Sequence, residues 1–357
     1  MPKITVRKGQ ADFPMTQKEF QMRFRSRFAD PAFAGKKELI EQLMQTAWDG
    51  YRKARKSPVT QKAGPEFADP NYDLSVEWLA TRGAIHEAQS RFDSPSGPRR
   101  VLLICASARN DKTCPGEMSK TYRLIEMAKL ELETAQAEVD LLDLSLLTSE
   151  FGKVIYPCKG CVSTAMPLCH WPCSCYPNHS LGQVNDWMSE IYPRWVAAHG
   201  IMIVTPVYWY QAPSVLKLMI DRLVCADGGN PDPSSTHGKD PGKAKVLEMK
   251  GWDYPRHLAG RSFAVVVHGD SAGTENLRRS LTDWLSDMHL IQAGADSCFD
   301  RFIGYFGPYA NSHDALDQDV ALHQEVRNAA RALITQVDQR RAGTLAPDED
   351  LEDPRPK

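Results

Sequence analysis

The sequence predicts a doubly wound α/β protein with a five-stranded parallel sheet and a helical extension at its N-terminus. Two observations carry that expectation. Four short runs are apolar throughout, Val101-Leu102-Leu103-Ile104-Cys105, Val139 to Leu144, Ile201-Met202-Ile203-Val204 and Phe263-Ala264-Val265-Val266-Val267, and strands apolar on both faces belong in a parallel sheet covered by helices. Helical periodicity fills the intervals between them, and strand–helix alternation is the pattern of an open wound sheet.

The elements follow in order. Residues 1–93 read as helical. Thr16-Gln17-Lys18-Glu19 has the form of a capping box, and Phe20, Phe24 and Phe28 then share one face. A second stripe comprises Leu39, Ile40, Leu43, Ala47, Trp48 and Tyr51, ended by the basic run Arg52 to Lys56. Ser94-Pro95-Ser96-Gly97-Pro98 marks a linker over 94–99. The α/β domain is expected over 100–337. Its helices carry Leu124, Met127, Ala128 and Leu132 after the first strand, and Trp187, Met188, Ile191 and Trp195 before the third. Val215, Leu218, Met219 and Leu223 follow the third, and Leu277, Leu281, Trp284, Leu285 and Met288 the fourth. A weaker fifth strand is expected near 292–299, then a last helix with Leu316, Val320, Val326, Ala330 and Leu333. From Asp338 the chain turns Pro- and acid-rich, reading as a flexible tail over 338–357.

Composition excludes several classes. The 357 residues hold 43 Lys+Arg against 45 Asp+Glu, a formal charge of −2, and a dedicated nucleic-acid or anionic-membrane binder needs a basic surplus. No stretch approaches the roughly 20 apolar residues of a membrane span. Nine cysteines, an odd number in a chain too large to need stapling, suit a reducing cytoplasm, and no secretory signal is evident.

An open wound sheet binds ligands beyond the carboxyl ends of its strands, so three loops matter. The first is Ala106-Ser107-Ala108-Arg109-Asn110, then an excursion to Met118, then Ser119-Lys120-Thr121 opening a helix. Backbone N–H groups at that helix start, hydroxyls of Ser107, Ser119 and Thr121, and the Arg109 charge suit a phosphate. The second, Pro206-Val207-Tyr208-Trp209-Tyr210, sets three aromatics at the mouth of a buried strand, where alternating side chains cannot all enter the core. They either line a site for a flat ligand or plug the space under the next helix. The third is His268-Gly269-Asp270-Ser271-Ala272-Gly273, whose glycines permit close backbone approach or simply make the turn.

Together, Ser107-Ala108-Arg109 with Ser119-Lys120-Thr121, Pro206 to Tyr210 with Lys217 and Asp221-Arg222, and Gly269 to Gly273 resemble the NAD(P)H-dependent FMN reductase group of flavodoxin-like proteins over roughly residues 99–300. The family usually begins its first loop Gly-Ser and keeps it short, whereas Ala106 and Asp111–Met118 depart from that here. The resemblance implies an FMN-dependent oxidoreductase that takes electrons from NADH or NADPH and passes them to a small acceptor, a quinone, nitro or azo compound, flavin or metal ion. It implies that Ser107, Arg109, Ser119, Lys120 and Thr121 hold the FMN phosphate. Pro206, Val207, Tyr208, Trp209 and Tyr210 would pack along the ring system, and Gly269, Asp270 and Gly273 against its other edge. It also implies a homodimer or homotetramer. His268 and Asp270 stand where a proton donor could act, although a histidine at a strand end is also an ordinary structural group.

Five cysteines crowd a Cys-rich loop expected over 157–180: Cys158, Cys161, Cys169, Cys173 and Cys175. Cys158 and Cys161 have the C-x2-C spacing of a chelate pair. Iron–sulfur flavoproteins, relatives of the same group, carry a compact cysteine motif here, which would make this a [4Fe-4S] site. Zinc, with His170 or His179 as replacement ligands, is a second reading. A metal-free loop with reduced thiols, or a dithiol pairing across it, is the third. Two alternatives to the reductase follow: a flavin/iron–sulfur electron-transfer protein serving a protein partner, and a zinc-stabilised binding protein without flavin.

Overall fold

The structure is a computed structural model that describes residues 4–11, 13–53, 59–114, 116–175 and 186–345. Its contacts divide into two compact units: Met1–Arg82 with Lys159–Asp186 and Gly228–Tyr254, and Gly83–Cys158 with Trp187–Asp227 and Pro255–Lys357.

In the first unit, α1 (Gln17–Ser26) starts where the capping pattern placed it. The Thr16 hydroxyl accepts from the Glu19 N–H at 3.2 Å, while the Glu19 carboxylate turns outward to Arg23. Phe20 is buried between Trp48 and Tyr51 of α2 (Lys37–Arg52), with ring centroids 5.4 and 5.3 Å away. Ile40 and Met44 are buried, whereas Leu39 and Leu43 of the expected stripe are half exposed. Residues 54–56 of the basic run lie outside the described residues. The helical reading of 1–93 needs a correction. A two-stranded antiparallel ribbon, β1 (Thr60–Lys62) and β2 (Asp73–Ser75), interrupts it. Three residues per strand are too few to show a period. The ribbon is held by a small core of Ala63, Phe67, Leu74 and Trp78, the last on α3 (Val76–Asp93), within which the division between units falls.

The cysteine-rich loop belongs to this unit from Lys159 onward. It is fastened by backbone bonds, Asn230 N–H to Cys169 O at 2.6 Å and Trp171 N–H to Asn230 O at 2.9 Å, and by the Trp78 indole N–H on Pro172 O at 2.8 Å. Residues 227–243 read from their Gly/Pro/Asp content as a mobile surface loop. Here they bury Ser234 and Thr236 before entering α8 (Pro241–Met249), because Asn230 and Asp232 fold the backbone onto their own side chains.

The second unit is the wound sheet. β3 (Arg100–Cys105), β4 (Glu138–Asp143), β5 (Gly200–Pro206) and β6 (Ser262–Gly269) run parallel in the order β4-β3-β5-β6. The expected fifth strand is present but split. β7 (Ile291–Gln292) pairs with the start of β6 and β8 (Cys298–Phe302) with its end, separated by a 3-10 turn after Gly294, whose φ of +79° ends the extended run. Two short edge strands thus make one interrupted fifth position in a six-stranded sheet.

The helices are α4 (Lys120–Thr134), α5 (Leu146–Ser149), α6 (Met188–Ala197), α7 (Ser214–Leu223), α9 (Thr274–Asp287), α10 (Ser312–Gln318) and α11 (Val320–Arg341). Leu124, Ala128 and Leu132 of α4 and Val326, Leu333 and Val337 of α11 pack on Leu103, Met202, Val204 and Ala264. The alternating set, Leu102, Ile104, Ile201, Ile203 and Phe263, points the other way and is equally buried. Both faces are therefore covered, the reason the strand runs carry no polar alternation. The expected last helix is two helices, broken at Asp319, whose carboxylate caps α11 through the Leu322 N–H at 3.0 Å. α11 continues past Asp338, which pairs with Arg99 at 2.7 Å, to Arg341. No helix among the described residues is long and apolar enough to cross a membrane.

Candidate functional site

Parallel strands end together, so the chain leaves Cys105, Pro206 and Gly269 at one edge of the sheet. A cavity of about 490 Å³ opens there, within the roughly 300–1,000 Å³ of small-molecule sites.

The first loop supplies Ser107, Arg109, Ser119, Lys120 and Thr121 to its wall. Asn110 holds the excursion by donating to the Ser145 and Ser149 hydroxyls at 2.7 and 2.9 Å. Ser119 caps α4, accepting from the Tyr122 N–H at 3.1 Å. The first-turn N–H groups of Lys120 and Thr121 have no acceptor within the helix. Arg109 donates through Nη2 to the Glu117 carbonyl at 3.2 Å, and the Glu117 carboxylate stands 3.7 Å away. Its Nε is buried without a hydrogen-bond partner. Burial lowers the Lys120 pKa, and Asp270 opposes that shift.

His268 lines the cavity at the end of β6 and is fully buried; its Nε2 lies 2.9 Å from the Thr121 hydroxyl. Burial and the Lys120 charge push its pKa down to about 3, so the ring is neutral at physiological pH. It steadies Thr121 in the helix turn that faces the cavity.

In the second loop Pro206, Val207 and Tyr208 line the wall, but Trp209 and Tyr210 do not. Tyr208 and Gln211 exchange both backbone bonds at 2.9 Å, leaving Trp209 and Tyr210 as the two central residues of a tight turn with φ of 47° and 68°. Both are positive, as in a type I′ turn, where glycine or asparagine is usual. Trp209 is consequently 91% exposed. In the third loop Gly269 and Asp270 line the wall and Gly273 does not. The glycines serve loop-on-loop packing: a Cβ on Gly269 would lie 2.3 Å from Val207 Cγ1, and one on Gly273, at φ +106°, 2.7 Å from Tyr210 Cα.

A fourth wall escaped the sequence reading. The Ile303 N–H bonds the Gly269 carbonyl at 2.8 Å, and the chain then folds back so that Ile303, Tyr309, Ser312 and His313 line the cavity. Asp270 beside the Tyr309 hydroxyl raises the phenol's pKa. Gly304 and Gly307-Pro308 were the available signal, a turn immediately after the edge strand.

The cysteines do not assemble as their spacing suggests. Among the described residues no three His, Cys, Asp or Glu side chains group as a metal site. Cys161 meets Cys175 with their sulfurs 3.6 Å apart, and Cys169 is buried. His170 is fully buried with its ring nitrogens on the Ser174 and Thr236 hydroxyls, and burial pushes its pKa down to about 4. A ring so engaged is not available as a ligand. His179 lies outside the described residues.

A parallel wound sheet with a polar corner and a tyrosine wall at its carboxyl edge is a flavodoxin-like arrangement. The model of the NADPH-dependent FMN reductase family matches residues 99–301, more than half of the chain, and the protein belongs to that family. No curated protein matches it. Among solved structures it is similar to RosB with bound 8-demethyl-8-formylriboflavin-5'-phosphate, at 12% identity and a TM-score of 0.48 over 69% of this chain and 82% of that one. It is also similar to an oxidoreductase from Corynebacterium diphtheriae, at 14% identity and TM-score 0.38 over 68% and 98%. A third is an FMN-dependent NADH-azoreductase from Bacillus anthracis str. Ames Ancestor in complex with FMN, at 15% identity and TM-score 0.37 over 66% and 99%.

The cavity's donors fit the family's cofactor. Arg109, Lys120, three hydroxyls and a helix start converge on its wall, a donor set that suits an anionic phosphate.

Proposed function

We propose that this protein transfers electrons from NADPH or NADH to a small planar acceptor of the quinone or azo class, with FMN held at the carboxyl edge of the sheet. Bound FMN would supply the redox chemistry, accepting hydride from the nicotinamide and delivering electrons onward. The chain's own residues bind and orient. Arg109, with the hydroxyls of Ser107, Ser119 and Thr121 and the N–H groups opening α4, holds the phosphate. Lys120 adds a cation whose charge Asp270 sustains. Neutral His268 fixes the Thr121 hydroxyl and, being buried, keeps water from beneath it. Tyr208 forms the flat wall, while exposed Trp209 and Tyr210 and the Tyr309 ring offer stacking surface to an acceptor.

The observation that carries this reading is the convergence of Arg109, Lys120, the hydroxyls of Ser107, Ser119 and Thr121 and the start of α4 on one cavity. Titrating flavin-free protein with FMN should quench flavin fluorescence at micromolar concentration or below. The loaded protein should then oxidise NADPH only when an acceptor is supplied, with parallel double-reciprocal lines, because nicotinamide and acceptor would use one site in turn. Intersecting lines would refute the shared site, and failure to bind FMN would refute the whole reading.

A further inference from the structure

The cysteine-rich loop holds chemistry that the flavin site does not use. Cys161 and Cys175, fourteen positions apart, bring their sulfurs to 3.6 Å, and the Cys173 thiol also bonds Cys175. The two halves of the loop are anchored separately. Cys161 opens a 3-10 turn, Cys161–Ser163, and packs on Ala165, Leu168 and Ala244. The other half is pinned by His170 on Ser174 and Thr236 and by the Trp78 indole on Pro172. The two sulfurs therefore face each other because the surrounding fold holds both ends, and both side chains remain partly exposed. A disulfide needs its sulfurs about 2.05 Å apart, so closure asks for roughly 1.5 Å of approach, within reach of a side-chain rotation. Cys173, two residues from Cys175, is too near in sequence to be its easy partner.

We infer that Cys161 and Cys175 form a redox-active dithiol that closes to an intramolecular disulfide by exchange with a small disulfide of the glutathione type. One protein thiolate attacks a sulfur of the external disulfide, breaks its S–S bond and releases one thiol. The second protein thiol then displaces the other half, forming the Cys161–Cys175 bond. Two protein thiols are oxidised, one external disulfide is reduced to two thiols, and the protein's two protons end on them.

The test equilibrates the full-length, reduced protein with graded ratios of oxidised to reduced glutathione, then traps thiols by alkylation. Intact mass should show the loss of two hydrogens, tandem mass spectra should place the link between Cys161 and Cys175, and dithiothreitol should reverse it. Cys161→Ser and Cys175→Ser should each abolish the link and leave a glutathione adduct on the surviving partner, whereas Cys173→Ser should keep it. The wild-type spectra decide the matter even where a variant folds poorly. A link from Cys161 to Cys173, no loss of hydrogen at any ratio, or thiols that react only after a chelator withdraws bound zinc would each overturn the inference.

Discussion

The two ends of the central sheet use arginine in opposite ways. At the amino end, Arg341 donates to the carbonyls of Ser94, Pro95, Gly97 and Pro98 and lies against the His199 ring. Arg261, also there, is buried, stacks on Phe92 at 4.0 Å and donates to His257 O, Ala259 O, Val196 O and Gln89 Oε1. These guanidinium groups tie the 94–98 turn and its surroundings to the sheet. At the carboxyl end, Arg109 has two backbone acceptors at 3.2 and 3.5 Å, an outlying carboxylate and a buried Nε with no partner. Arg261 and Arg341 each spend four or more bonds on the fold and Arg109 two, while Arg261 and Arg109 alike keep a buried Nε without a partner, and Arg109 lines the cavity. Position at a cavity, more than residue type, separates a structural cation from a ligand-binding one.

The largest effect should come from the amino end. Arg261→Ala strands four acceptors in a buried setting and should destabilise the protein by about 3 kcal/mol or more. Chemical denaturation would measure it, with FMN affinity of the folded fraction changed less than about twofold; a large affinity loss would erase the distinction between the ends. Arg109→Ala should do the reverse. Losing charge-assisted bonds worth about 1.5–3 kcal/mol should weaken FMN binding roughly ten- to hundredfold, read by fluorescence titration, with stability within about 0.5 kcal/mol of the parent. The smallest effect sharpens the comparison by pH. His199 at the amino end, lowered to about 4 by burial and the Arg341 charge, and His268 at the carboxyl end, lowered to about 3, are both held neutral. The unfolded chain protonates each near 6.5. Their contribution is therefore complete above that pH and is lost as pH falls toward 4 and 3. Replacing either by Gln should remove about one proton from the pH dependence of stability between pH 6 and 4. Only His268→Gln should also weaken FMN binding, since only His268 holds Thr121.

The site was legible where geometry is inherited from strands. Once β3, β5 and β6 are parallel, their following loops must share an edge, so Ser107, Arg109, Thr121, Tyr208 and Asp270 meet whatever their separation in sequence. Legibility failed where position depends on partners that no local pattern names. Trp209 reads as a wall residue, yet its left-handed turn turns it to solvent. The Ile303–His313 segment joins the cavity only because the Gly269 carbonyl captures Ile303. The C-x2-C spacing of Cys158 and Cys161 suggested a metal, but Cys161 meets Cys175 across the loop, and one of the two hydroxyls on His170 comes from Thr236, 66 residues on. The β1–β2 ribbon was hidden for another reason, being too short to show alternation.

The turn that carries Trp209 and Tyr210 has one more consequence. A non-glycine residue in left-handed backbone costs on the order of 1–3 kcal/mol, and here Gly273 and the Tyr208–Gln211 bonds enforce it twice over. Folding meets that cost in advance, so the turn keeps its shape with or without an occupant. A molecule that stacks on the exposed Trp209 face need not wait for this turn to form.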